Sequence, residues 1–158
     1  MGELRVTVFN VERGLCVFVR SPSGYGVLID CGKSEKFSPT KWIVENAKRG
    51  LTQWNGYALS WMIVTHPHDD HVEDIDYLKS HLPPAILTRQ KSYDWEAILQ
   101  PQSGVPSPNV QNYYDWQQTY NASGLSGISR GRATYRGTPI RQTGDSPRGP
   151  GTNAGIEL

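Results

Sequence analysis

The chain has 158 residues, of which 37% are hydrophobic and 20% charged, and its formal net charge is +1. This length favours one domain that is large enough to form a hydrophobic core. The near-neutral net charge does not indicate nucleic-acid binding by the chain as a whole, which would favour a strongly basic protein. No apolar run is long enough to span a membrane, and the N-terminus does not resemble a signal peptide. Two cysteines are too few for a disulfide framework. We therefore expect a cytoplasmic protein with reduced thiols.

The N-terminal part of the chain predicts three consecutive antiparallel strands. Apolar and polar residues alternate over 4–8, which is the period of a half-buried strand. A second strand over 15–19 follows a turn, and a third over 26–29 follows the turn residues of 21–24. The short loops between these strands favour antiparallel neighbours.

The hydrophobic period then changes and predicts alternating helices and strands. Ser38 and Pro39 suit the N-cap and first position of a helix that ends near Gly50. The further elements that we predict are a strand over 59–64, a helix over 73–82, a strand over 85–88 and helices over 94–99 and 112–120. This order favours an α/β fold in which a mixed sheet is covered by helices.

The composition changes near Asn121 and divides the chain in two. The net charge is −2 over 1–122 and +3 over 123–158, and the second segment holds eight of the 16 glycines. Such a segment buries too little apolar surface to offset the entropy lost on ordering. We therefore predict a domain over 1–122 and a flexible, disordered tail over 123–158. A nucleic-acid-binding arm is the less favoured interpretation of the tail's five arginines.

The most informative segment is His-Pro-His-Asp-Asp-His at 66–71, which holds three of the four histidines. His66 and His68 are two residues apart, so they project the same way from extended backbone, and such an imidazole pair suits zinc. Asp70 and His71 follow as the chain turns into a helix and can aim at a nearby point. The pattern predicts two adjacent metal positions, whereas the alternative is a polar loop with chance histidines.

The spacing His-x-His-x-Asp-His after an apolar strand resembles the signature of the metallo-β-lactamase-fold hydrolases. The sequences of residues 6–14 and 17–32, the second of which ends in Leu-Ile-Asp-Cys-Gly, resemble the N-terminal sequence of one branch of that family. This branch is typified by the metallo-β-lactamase-like domain of bacterial DNA-uptake (competence) channel proteins. The resemblance covers residues 4–82 and implies the N-terminal half of a four-layer αββα sandwich.

The resemblance implies a zinc-dependent hydrolase with two zinc ions. His66 and His68 correspond to the ligands of the first zinc, and Asp70 and His71 to those of the second, with Asp70 also the expected catalytic carboxylate. Asp30 corresponds to a strand-end aspartate that supports the metal loop without binding metal, although it can also be read as a simple turn residue. Among the family's substrates we favour phosphodiesters, whether in small molecules, nucleotides or nucleic acids.

The family takes its remaining zinc ligands from a second half, and this chain offers few candidates for them. His81 is better read as a histidine stabilised at a helix C-terminus, and Asp145 lies in a Thr-Gly-Asp that does not follow an apolar strand. Cys31 is a weaker candidate, and Asp69 is expected to be solvated or to cap the following helix. We therefore interpret the chain as a truncated hydrolase. The alternatives are completion by a partner chain and a non-catalytic metal-binding remnant.

Overall fold

The structure, a computed structural model, describes residues 2–89, 95–99, 107–122, 133–135 and 138–140. The strands are β1 (Arg5–Val8), β2 (Val17–Arg20), β3 (Gly26–Ile29), β4 (Leu59–Val64), β5 (Pro84–Arg89), β6 (Ala133–Tyr135) and β7 (Thr138–Ile140). The helices are α1 (Pro39–Asn46), α2 (Asp69–Val72), α3 (Ile75–His81), α4 (Trp95–Leu99) and α5 (Pro108–Ala122), with a 3-10 turn at Lys48–Gly50. None of these helices is long and apolar enough to cross a bilayer.

Five strands form one mixed sheet in the order β1-β2-β3-β4-β5. The first three strands pair antiparallel, while β3 pairs with β4 and β4 with β5 in parallel. The predicted α/β class, the mixed sheet and the three antiparallel N-terminal strands are therefore confirmed. Parallel neighbours need crossover connections, which α1 provides between β3 and β4. The carboxyl ends of β3 and β4 consequently meet at one edge of the sheet, and the segments that follow them are neighbours.

One face of the sheet packs against the helices and forms the main core. Alternate residues of the strands point to this face because successive strand side chains point in opposite directions. The strands contribute Phe18, Leu28, Met62, Val64 and Leu87, and the helices contribute Ile43, Ile75, Leu78, Val110, Tyr113 and Trp116. The helical stripe of α5 thus reaches the same core as the sheet.

The opposite face of the sheet is also apolar. The strand register sets two rows across all five strands, the first being Val6, Val19, Val27, Trp61 and Ile86, and the second Val8, Val17, Ile29, Ile63 and Thr88. Within the ranges given above, no helix packs on this face, and the first row is covered in part by Trp54 and Tyr57. The second row lies nearer the carboxyl ends of β3 and β4 and is partly exposed, with Val8 69% exposed. A sheet that is apolar on both faces is typical of folds that cover both faces.

Several element boundaries differ from the predictions. The helix predicted over 112–120 starts earlier, at Pro108, because proline is tolerated in a first turn and Ser107 caps the helix, its Oγ accepting the Asn109 N–H at 3.2 Å. The short helix α2 was not predicted. The predicted N-cap of α1 is confirmed, since Ser38 Oγ accepts the Lys41 N–H at 3.1 Å.

The segment predicted as a flexible tail contains a short antiparallel hairpin. Strand β6 pairs with β7, and Tyr135 is the partner of Thr138. These six residues are the part of 123–158 that the structure describes. The predicted disorder of the other residues lies outside the described ranges, and the division into 1–122 and 123–158 stays a prediction.

Replacing Leu28 tests whether the helix-covered face is the main core. Leu28 is fully buried in the central strand β3, so Leu28→Ala should lower the free energy of unfolding by about 2–5 kcal/mol through lost burial and a cavity. Val8→Ala, on the exposed edge strand, should cost clearly less. Urea denaturation of both variants measures the two losses. Equal losses would contradict this assignment of the core.

Candidate metal-binding site

The site is built around Asp30, which directly follows β3. Its backbone has a left-handed conformation, with φ at 54°, and its side chain is fully buried. Its N–H donates to the Ile63 carbonyl at 2.9 Å, which continues the pairing of β3 with β4 by one residue. A left-handed residue other than glycine is unfavourable and persists where surrounding contacts hold it.

The contacts that hold Asp30 come from the segment that follows β4. Its Oδ1 accepts the backbone N–H of Thr65 at 2.8 Å. Its Oδ2 accepts the Thr65 hydroxyl at 2.6 Å and Nδ1 of His71 at 2.8 Å. A buried carboxylate is costly unless it is hydrogen-bonded, and here three donors satisfy it. Asp30 therefore ties both ends of the loop 65–71 to the end of β3, as a support for the loop and more than a turn residue.

Backbone hydrogen bonds close the loop on its far side. The Cys31 N–H donates to the His71 carbonyl at 2.8 Å, and the Cys31 carbonyl accepts the Asp74 N–H at 2.9 Å. The buried carboxylate of Asp74 in turn accepts the Ser38 hydroxyl at 2.6 Å and the Thr40 N–H at 3.0 Å. The loop is thus held at both ends by the buried Asp30, and the buried Asp74 holds the segment just beyond its end.

Two glycines make room for the loop backbone. A Cβ on Gly14 would lie 1.9 Å from the Asp70 carbonyl oxygen, and a Cβ on Gly32 would lie 2.3 Å from the same atom. Real Cβ atoms do not approach an oxygen this closely, so any other residue at either position must displace the peptide of Asp70. Gly14 and Gly32 therefore fix where the Asp70–His71 segment can lie.

The side chains of the motif form one cluster on this scaffold. The ring centroids of His66 and His71 are 3.8 Å apart, and those of His66 and His68 are 4.6 Å apart. The Asp70 Oδ1 lies 4.0 Å from Nε2 of His71. Asp70 is 41% exposed at its side chain and His71 13% exposed. The structure thus brings all four predicted ligands together, with His66 between the two other histidines.

The electrostatics at His66 favour a neutral imidazole ring. Burial lowers the pKa of His66, and the neighbouring His71 and His68 lower it further, against smaller opposing effects of Asp30 and Asp70. Neutral imidazole is the form that binds a metal ion.

The weaker candidates are placed elsewhere. Asp69 is half-buried and does not cap α2: it lies within that helix, whose N-cap is His68, and its Oδ1 accepts the Asn109 amide at 3.0 Å and the Ser107 hydroxyl. It therefore joins the motif to the start of α5. His81 is the last residue of α3, as expected, with its ring stacked on Tyr77.

The structure describes one of the two remaining candidates. Cys31 is fully buried, and burial raises the pKa of its thiol well above the ordinary value, which disfavours the thiolate form in the metal-free chain. Asp145 lies outside the residues that the structure describes.

The comparisons with known proteins decide the family. The family model described as the metallo-beta-lactamase superfamily matches residues 10–109. The chain belongs to the metallo-beta-lactamase superfamily. The match runs from the turn before β2 to the first residues of α5 and so includes Gly14, Asp30, Gly32 and the loop 65–71 of this superfamily member. Neither a curated protein nor a solved structure matches the chain significantly.

The residues of the cluster fit zinc in their chemistry but do not form a complete ligand set. Imidazole nitrogen and carboxylate oxygen are zinc donors, and the hydrogen bond from Nδ1 of His71 to Asp30 leaves Nε2 for a metal. Among the parts of the chain that the structure describes, no three or more His, Cys, Asp or Glu side chains are arranged to hold a metal ion.

Sequence reasoning missed Thr65, Asp74 and the role of Gly14. Thr65 carried a signal, since a threonine immediately before a histidine motif can hydrogen-bond to the buried strand-end aspartate. No local sequence pattern indicated the role of Asp74, because its partners Ser38 and Thr40 are more than 30 residues away in sequence.

Substituting Gly14 tests whether the Asp70 peptide needs that space. Gly14 and Gly56 both have positive φ, at 73° and 85°, but a Cβ on Gly56 would meet nothing within 4 Å. Alanine at either position should cost about 1–2 kcal/mol of backbone strain. Gly14→Ala should cost clearly more in chemical denaturation because the Cβ also collides with Asp70. Equal losses for the two variants would show that the loop yields freely.

The lowered pKa of His66 predicts a pH dependence of stability. The unfolded chain keeps the ordinary pKa near 6.5 and binds this proton first as the pH falls. The free energy of unfolding should therefore decrease as the pH drops through 6.5 and stop changing from this source below the folded-state pKa. In denaturation with a chelator present, His66→Gln should show a shallower decrease than the wild type. An identical slope would argue against a lowered pKa of His66 in the folded chain.

Proposed function

We propose that this chain is a zinc-dependent hydrolase of the metallo-beta-lactamase superfamily. The observation that carries the proposal is the clustering of His66, His68, Asp70 and His71 on a loop that a buried aspartate holds. A bound zinc pair would supply an acidified water and stabilise charge that develops in the transition state.

The residues of the chain have separable tasks in this proposal. His66 and His68 offer donors for one metal position, and Asp70 and His71 offer donors for a second. Asp70 is the proposed catalytic carboxylate, since its side chain is 41% exposed and its Oδ1 lies 4.0 Å from Nε2 of His71, so that it can hold a water or accept its proton. Asp30, fully buried, orients His71 and does not reach the substrate.

Catalysis needs ligands beyond these four, because ordinary catalytic zinc has three protein ligands. We propose that the others come from outside the described residues, either from another part of the protein or from a partner chain. The partly exposed apolar row that ends in Thr88 supports this, because among the described residues it leaves apolar surface accessible near the cluster. The second candidate is a non-catalytic metal-binding module, and it is favoured because the described residues contain no group of three or more potential ligands arranged to hold a metal ion.

Phosphodiesters are the proposed substrate class, and the DNA-uptake branch is the proposed branch of the superfamily. The support is the sequence Thr-His-Pro-His-Asp-Asp-His at 65–71 and the sequence Leu-Ile-Asp-Cys-Gly at the end of β3 and directly after it. Fold alone does not choose a substrate. A cytoplasmic location belongs to the same proposal.

Metal content tests the proposal. Purified protein loaded with zinc and freed of excess should retain close to two ions per chain, as the family pattern expects. The double variant His66→Ala/His68→Ala should lose at least one of them. His81→Ala, which removes a histidine outside the loop, is the matched control and should match the wild type.

The outcomes separate the two candidates. Stable binding that depends on the loop, together with zinc-dependent cleavage of bis(p-nitrophenyl) phosphate, supports the hydrolase. Weak, substoichiometric zinc in the wild type would overturn catalysis by this chain alone and leave the metal-binding module. Zinc retained equally by all three proteins would show that the metal lies elsewhere.

A further inference from the structure

The hydroxyl of Thr65 stands between the buried carboxylate of Asp30 and the imidazole of His66. Thr65 Oγ1 donates its proton to Asp30 Oδ2 at 2.6 Å. The same oxygen lies 3.1 Å from Nδ1 of His66. A hydroxyl has one proton to donate and two lone pairs to accept with. Because its proton goes to the carboxylate, the oxygen faces Nδ1 as an acceptor.

This arrangement determines which nitrogen of His66 carries the proton. A neutral imidazole has one N–H and one bare nitrogen, and the hydrogen bond made by one nitrogen sets the state of the other. With Thr65 Oγ1 as an acceptor, Nδ1 must be the protonated nitrogen of His66. The bare nitrogen is then Nε2, on the far side of the ring from Thr65.

The same carboxylate determines the tautomer of His71. Nδ1 of His71 lies 2.8 Å from Asp30 Oδ2, and a carboxylate only accepts hydrogen bonds, so this Nδ1 also carries the proton. The two rings are neighbours, with centroids 3.8 Å apart. Both therefore present bare Nε2 atoms from adjacent positions.

We propose that Thr65 is a positioning residue that relays Asp30 to His66, so that one buried carboxylate sets the tautomers of both His66 and His71. His71 is set by direct contact and His66 through the Thr65 hydroxyl. The relay couples two histidines that the motif assigns to different metal positions. Its relevance to zinc rests on the proposed function, whereas the tautomers themselves are a property of the metal-free chain.

The direct test is nitrogen-15 NMR of the histidine rings in metal-free protein, at a pH well above the ordinary histidine pKa. The chain of 17.7 kDa is small enough for such spectra. In the wild type, His66 and His71 should both show the tautomer protonated at Nδ1. A wild-type His66 protonated at Nε2 overturns the proposal without any variant.

Substitutions at Thr65 then separate the relay from a structural role. Thr65→Val removes the hydroxyl at nearly constant volume, so His66 should populate the Nε2-protonated tautomer while His71 keeps its own. Thr65→Ser restores a hydroxyl and should restore the wild-type pattern of His66. Thr7→Val, the same substitution in edge strand β1, is the control and should change neither ring. If His66 keeps its tautomer in folded Thr65→Val, the relay is wrong.

Zinc affinity gives a second readout that distinguishes the two proposals. Losing an outer hydrogen-bond partner of a ligating histidine weakens metal binding about 10–100-fold, and Thr65→Val should do so while Thr65→Ser does not. If the tautomers respond as expected but no zinc binds to the wild type, the relay holds and the proposed function fails. If zinc binds equally to wild type and Thr65→Val, the relay has no role in metal binding.

Discussion

The burial of the Asp30 carboxylate is the constraint on which the rest of the site depends. A charged group without exposure must be surrounded by donors or it destabilises the fold by several kcal/mol. The three donors that surround Asp30 come from Thr65 and His71, the residues that bracket the histidine motif. The hydrogen bonds that satisfy the carboxylate therefore also determine the conformation of the loop. Stability and ligand geometry are two consequences of one set of hydrogen bonds.

The parallel pairing of β3 with β4 makes this contact possible. Parallel neighbours end at the same edge of the sheet, so Asp30 and Thr65, which are 35 residues apart, emerge side by side. The left-handed backbone of Asp30 turns the chain at this point, and Gly32 lets it pass close beneath the Asp70 carbonyl. Topology thus brings the two segments together, and the glycines allow their backbones to approach to hydrogen-bonding distance.

Much of the fold and the motif followed from sequence, because periodicity and spacing are local signals. The alternation in β1, the cap at Ser38 and the histidines of 66–71 are each visible within a few residues. The contacts that orient the motif are not local: Asp69 bonds to Asn109 and Asp74 to Thr40, across 40 and 34 residues. Nothing near Asp69 in sequence signals that partner, which explains why a capping or solvated role was expected. Long-range polar contacts require the fold before they can be assigned.

The partly exposed apolar row of the sheet and the histidine loop are connected by position. The partly exposed row passes through Ile29, which immediately precedes Asp30, and through Ile63, which lies two residues before Thr65. An element that covers this end of the row would therefore lie close to the histidine cluster. On the proposed function, burial of the second apolar face and delivery of the remaining ligands are then the same event. Hydrophobic burial would supply the driving force, and the loop, already held by Asp30, would need little rearrangement to receive the ligands.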